Sequence, residues 1–221
     1  METDRIIASL AAGQHAAVGR RQLLDAGVTE SALAHRLATG RLLRMHPGVY
    51  RPAGHPPTWP QMFTGAVLAA GAGAVASHRG AAYVLGVPGI EPRAEVSVVT
   101  SRAPRIRGVL VHRATLLGPP DTTAVDGIPC TRPARTLVDL AGVVTPATLE
   151  VALDDLLSRR LVTVDYLRRR LDALGRQGRR GAGTLAELLA QRADGRPRMT
   201  SEFERRLLAA LLLASLLSQS R

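Results

Sequence analysis

The sequence predicts an α+β protein: an N-terminal winged helix-turn-helix, then a mixed α/β domain, then a C-terminal helix. Three observations carry this. Residues 18–51 read as two short helices parted by Gly27 and followed by two extended runs about His46-Pro47-Gly48. Beyond residue 58, β-branched runs such as EVSVVT (95–100) and VLVH (109–112) lie among stretches with helical apolar spacing. The end of the chain, from Ser201 to about Leu217, turns abruptly apolar at helical length.

In chain order, residues 4–12 read as a helix with Ile6, Ile7 and Leu10 on one face. The helix Arg20–Ala26 carries Leu23 and Leu24, and Gly27 breaks it. Thr29 is placed to cap the next helix, because its hydroxyl can accept from amide N–H groups that have no partner inside the helix. That helix runs to about Thr39, where Gly40 stops it. Leu33 and Leu37 share its inner face. Leu42–Met45 and Val49–Arg51 form a hairpin, and Pro52–Pro57 reads as a linker by its Pro and Gly content. Helices follow over 60–70 and from Ser77-His78-Arg79-Gly80 to Leu85; then come the strands Glu95–Thr100 and Val109–His112, separated by the basic loop Arg102–Arg107. Residues 122–131 form a third extended run with an Asp126-Gly127 turn. Pro133 and Pro146 each sit at the first turn of a helix, where a missing N–H costs nothing, and Thr163 starts a third. Gly175–Gly183 reads as a loop and Thr184–Gln191 as a short helix. The resulting domains are 1–55, 58–195 and 196–221.

Composition narrows the function classes. Arginine and lysine total 29 against 18 acidic residues, a net charge of +11, and every basic residue is arginine. Exclusive arginine with abundant Ala and Gly points to GC-rich coding, which discounts the charge somewhat. A strongly basic chain is still drawn to polyanions, nucleic acid above all. The lone cysteine, Cys130, excludes an internal disulfide and a cysteine metal cluster. METDRIIASL is not a signal peptide, and the apolar stretches 66–76 and 207–217 fall short of the roughly 20 residues a bilayer requires. The expectation is a cytoplasmic protein with no membrane contact and no cofactor.

The charge falls where a helix-turn-helix would meet DNA. Arg20, Arg21, Arg44 and Arg51 sit at a helix start or on the hairpin, positions suited to phosphate, and Arg41 is a further expected DNA-binding residue. With Leu33 and Leu37 inward, Ser31, His35 and Thr39 point outward, flanked by Ala32 and Arg36. These side chains are the expected base readers in the major groove, with Arg36 placed to pair with a guanine. No phosphate-binding loop and no nucleophile elbow occurs. His78-Arg79 and His112-Arg113 read as structural pairs, the histidines show no metal-ligand spacing, and Asp154 and Asp155, as helical neighbours, do not face one another.

GVTESALAHRLATGRLLRMHPGVYR in the N-terminal part resembles the antitoxin domain of the AbiEi family of type IV toxin–antitoxin systems. SHRGAAYVLGV, EVSVVT, VLVHR and DGIPCTRPARTLVDLA are similar to the middle region of actinobacterial proteins that carry this domain. The resemblance implies a transcriptional regulator that binds promoter DNA and represses its own operon, with a nucleotidyltransferase-type toxin as partner. It does not imply an enzyme. Ser201–Arg206 (SEFERR) resembles the opening helix of very-short-patch-repair endonucleases of the PD-(D/E)XK type. The clustered carboxylates that such a nuclease needs do not follow in this sequence. The alternative reading is therefore a truncated remnant of that nuclease.

Overall fold

The protein is described here by a computed structural model, which covers residues 2–54, 56–175 and 180–193. It is a mixed α+β chain that divides into two compact units, Met1–Leu140 and Ala141–Arg221.

The first unit opens with α1 (Glu2–Ala12), β1 (Val18–Gly19), α2 (Arg20–Asp25), α3 (Glu30–Ala38), β2 (Leu42–His46) and β3 (Val49–Pro52). Local chemistry sets each boundary. The Gly19 N–H donates to the Gln22 side chain at the start of α2, and Ala32 N–H donates to Thr29 Oγ1 at the start of α3. Gly27 and Gly40 take positive φ, 90° and 70°, directly after the two helices. The strands form an antiparallel sheet in the order β1-β3-β2, and a register shift between Arg44 and His46 bends the hairpin near its tip. Ile7, Ala11, Val18, Leu23, Val28, Leu33, Leu42 and Tyr50 make one core beneath these elements. The two-residue strand β1 was not foreseen. It is too short to show a periodic pattern, and only its pairing with β3 defines it.

The rest of the first unit comprises α4 (Trp59–Ala70), β4 (Val75–Ala76), α5 (His78–Val84), β5 (Glu95–Val98), β6 (Leu110–Arg113), β7 (Thr122–Val125), β8 (Ile128–Thr131) and α6 (Pro133–Leu140). Its five strands run in the order β6-β5-β4-β8-β7. The β5–β6 and β4–β8 pairs are parallel, and the β4–β5 and β7–β8 pairs are antiparallel. The extended run over 122–131 is thus a hairpin of two strands about Asp126-Gly127, whose φ values of 48° and 77° suit a tight hairpin turn. The central strand β4 lay hidden in a Gly/Ala-rich connection. Phe63, Ala66, Ala76, Val96, Val98, Ile128 and Cys130 are buried together. Burial pushes the Cys130 thiol up to about 11, so it stays protonated at neutral pH. In a chain with few aromatic rings, three meet here: Trp59 lies 5.7 Å and Tyr83 5.6 Å from Phe63.

Helix α4 packs against both sheets of this unit. Gly65 is where the hairpin comes close: a Cβ there would sit 2.7 Å from Met45 Cε. Gln61 donates to Ala16 O at 3.3 Å. A second tie joins the His15 ring to the Asp126 carbonyl at 2.6 Å.

The second unit contains α7 (Pro146–Ser158), α8 (Val164–Leu174) and α9 (Ala182–Ala193). Their apolar faces bury Leu149, Leu153, Leu156, Leu167, Leu171, Leu185 and Leu189. α9 begins two residues earlier than Thr184, within the stretch read as loop. Asp154 and Asp155 do point to different partners. Asp154 pairs with Arg192 at 2.7 Å and Asp155 with Arg159 at 3.0 Å. The resemblance at 201–206 and the apolar C-terminal helix lie outside the described residues.

Candidate nucleic-acid interface and a buried histidine cluster

Helix α3 presents Ser31, Ala34, His35, Ala38 and Thr39 to solvent, while Leu33 is buried and Leu37 half-buried. Three of the expected readers, Ser31, His35 and Thr39, therefore stand on the exposed face. In this structure Ser31 Oγ lies 3.2 Å from Thr29 Oγ1, and the Thr39 hydroxyl donates to His35 O at 2.9 Å. In the same N-terminal module Arg21, Arg41 and Arg44 are exposed. The Arg21 side chain is 94% accessible and only loosely paired with Asp25, at 3.7 Å. The Arg44 guanidinium lies over the Tyr50 ring, 5.9 Å from its centre. Arg20 is ion-paired with Glu30 across the turn between α2 and α3, and half-buried Arg51 contacts Pro52 O at 3.5 Å.

Arg36 departs from expectation. Its side chain is only 11% exposed and forks onto Asp4 of α1, with Nε 2.8 Å and Nη2 3.1 Å from the two carboxylate oxygens. A third bond runs from Nη1 to Ala32 O at 3.1 Å. The pair holds the Asp4 carboxyl below its ordinary value, chiefly through the hydrogen bond from Arg36. Arg36 fastens α1 to α3 and does not stand with the outward-facing side chains expected to read bases. The reason was present in the spacing: Arg36 is three residues after Leu33 and so shares the inner face, where an arginine needs an acidic partner. That partner lies 32 residues away on another helix.

On the hairpin, Arg44 and Leu43 face solvent, whereas Met45 and His46 turn toward α4. Burial lowers the His46 pKa and keeps the ring neutral at pH 7.

A second group of polar side chains forms where the parallel strands β5 and β6 meet the start of α5. Glu95 is fully buried. Arg79 holds it with a guanidinium bond of 2.8 Å and a backbone N–H bond of 3.1 Å. The register of β5 against β6 puts Ser97 opposite His112. The His112 ring stacks on the His78 ring with centres 3.6 Å apart and planes 18° from parallel. His112 Nε2 lies 3.9 Å from Glu95 Oε2 and has no hydrogen-bond partner although the atom is buried. Burial lowers the His112 pKa, against the attraction of Glu95, so the ring is neutral at pH 7. A hydroxyl chain completes the group: Ser97 Oγ donates to Ser77 Oγ at 2.8 Å, and Ser77 Oγ lies 2.9 Å from His78 Nδ1. Gly80 makes the close approach possible, because a Cβ there would stand 2.9 Å from Glu95 O. His78 itself has a φ of 51°, a backbone state few side chains adopt. Linear spacing had argued against any grouping of the histidines. The grouping arises because three separate elements converge.

Residues 5–53 match the family described as "Transcriptional regulator, AbiEi antitoxin". The crystal structure of the RV2827C protein from Mycobacterium tuberculosis is similar in fold, with a TM-score of 0.53 at 21% sequence identity over 85% of this chain and 76% of that one. No curated protein matches the chain.

Proposed function

We propose that this chain is a DNA-binding transcriptional regulator of the AbiEi antitoxin type, that its N-terminal part is a winged helix-turn-helix, and that it represses its own operon. The observation that carries this reading is the exposed face of α3, with Ser31, His35 and Thr39, on a module that also exposes Arg21, Arg41 and Arg44. The match of residues 5–53 to a regulator family supports the same reading. Helix α3 enters the major groove, its outer residues meet base edges, and the hairpin arginines meet phosphate. Among the described residues no helix is long and apolar enough to cross a membrane. The segment around DGIPCTRPARTLVDLA, by its resemblance to the middle region of such proteins, is assigned to opposing a nucleotidyltransferase-type toxin. The chain has no catalytic task of its own in this reading, and it works in the cytoplasm.

The test is titration of the full chain with duplex DNA from its own upstream region and with random duplex, at several salt concentrations. Wild type should bind its own region more tightly, with affinity falling steeply as salt rises. Arg44→Ala should weaken binding to both duplexes and flatten the slope of log K against log salt by roughly 0.9 for one lost phosphate contact. His35→Ala should change the preferred sequence while leaving that slope in place. Absence of binding at low salt overturns the proposal.

A further inference from the structure

We propose that His78, Glu95 and His112 form a binding site for a divalent transition-metal ion of the zinc class, in the domain that follows the DNA-binding module. Their ligand atoms all lie within 4.8 Å of one another. Two donors on one zinc ion stand at most about 4.2 Å apart, since each bond is about 2.1 Å long. Closing that gap requires the two imidazoles, now stacked with planes 18° from parallel, to swing apart so that their in-plane nitrogen lone pairs converge on one point.

The chemistry of the donors fits. Two imidazoles and one carboxylate make an N2O set of the kind that zinc, cobalt and nickel accept. The Glu95 carboxylate is buried but has lone pairs to spare after the two bonds from Arg79, because each oxygen can accept twice. Arg79 thereby fixes the carboxylate in the manner of the groups that commonly orient metal ligands. Ser77 likewise holds the His78 ring through its bond to Nδ1. The buried His112 Nε2, without a hydrogen-bond partner, is an atom whose burial is costly unless something meets it. A cation beside Glu95 meets it. His78 and His112 are each partly open to solvent, which gives the ion a path in and leaves room for water as a further ligand. Occupancy would tie β6, the edge strand of the sheet, to β5 and to the start of α5.

The experiment uses the full untagged chain, stripped with a chelator. Zinc is titrated by calorimetry, and cobalt is added in parallel to read its visible absorption. The expected result is one ion per chain, a cobalt spectrum of a nitrogen–oxygen site, and a rise in melting temperature on adding zinc. Losing a group that merely orients a ligand weakens metal sites about 10–100-fold, so His112→Ala and His78→Ala should each weaken zinc binding by at least about tenfold and abolish the thermal shift. His15→Gln, at a histidine outside both the cluster and the proposed DNA face, should leave the zinc affinity and the zinc-induced thermal shift unchanged. Because Glu95 is buried, Glu95→Gln is read only alongside a melting curve that shows a folded protein, and the partly exposed His112→Gln provides the independent ligand variant. The proposal is overturned if wild type takes up no ion at micromolar zinc. It is equally overturned if folded His78 and His112 variants bind as wild type does.

Discussion

Two arginine–carboxylate pairs in the same compact unit show how differently one chemistry can be used. Arg36 and Asp4 meet between α3 and α1, with the carboxylate about half exposed, at 49%. Arg79 and Glu95 meet where α5 packs on β5, and there the carboxylate is entirely withdrawn from water. The first pair is a fastener on a module that presents Ser31, His35 and Thr39 to solvent. The second belongs to a buried polar group that also holds two stacked histidines and two serines. A half-exposed pair leaves water as the substitute partner when it breaks. A buried pair leaves a stranded charge, so the Glu95 site is the more sensitive of the two to loss of its partner.

The largest effect should come from Arg79→Ala. It leaves the Glu95 carboxylate buried with only the residue 79 backbone N–H, and loss of one partner from a buried pair costs about 3–5 kcal/mol. Because the Arg79 side chain is itself 25% exposed, the lower end, about 3 kcal/mol, is expected in urea unfolding. A loss no greater than that of Arg36→Ala would erase the distinction between the two sites.

Arg36→Ala should cost less, about 1 kcal/mol, because Asp4 returns to solvent and the loss is mainly that of stem packing and a partly screened pair. Its informative readout is DNA selection. With Arg36 turned inward, the variant should retain the wild-type sequence preference while its unfolding midpoint falls. A changed preference with unchanged stability would return Arg36 to the reading face.

The smallest effect concerns pH. The Asp4 carboxyl is held below its ordinary value of 3.8, chiefly by the hydrogen bond from Arg36, with the N-terminal amine and Arg41 also lowering it. A carboxylate with a depressed native pKa contributes stability that is complete above the unfolded value and fades as pH falls through the native one. The stability difference between wild type and Asp4→Asn should therefore be full at neutral pH, begin to shrink near pH 4 and vanish below the native pKa. A difference that persists in strong acid would mean that charge pairing is not what Asp4 contributes.

Much of the N-terminal module was legible before any coordinates because its determinants are local. Thr29 caps the helix it precedes, Gly27 and Gly40 take the positive φ that ends a helix, and Pro47-Gly48 turns the hairpin. The exposed positions of Ser31, His35 and Thr39 also followed from the helical repeat once Leu33 was placed inward. The direction of Arg36 was within reach of the same repeat, but its partner was not, since Asp4 belongs to a different helix.

In the five-stranded sheet, by contrast, the sequence determined which residues favour strands and turns but not which strands become neighbours. β4 has two residues and no pattern of its own, yet it joins β5 to β8. Pairing of β5 with β6 sets His112 across from Ser97, and the packing of α5 on β5 brings His78 and Arg79 to the same place. Helix caps and turns depend on contacts a few residues apart, which the order of the chain already contains. A site assembled from residues 78, 95 and 112 depends on strand register and helix docking, and only the folded chain sets those.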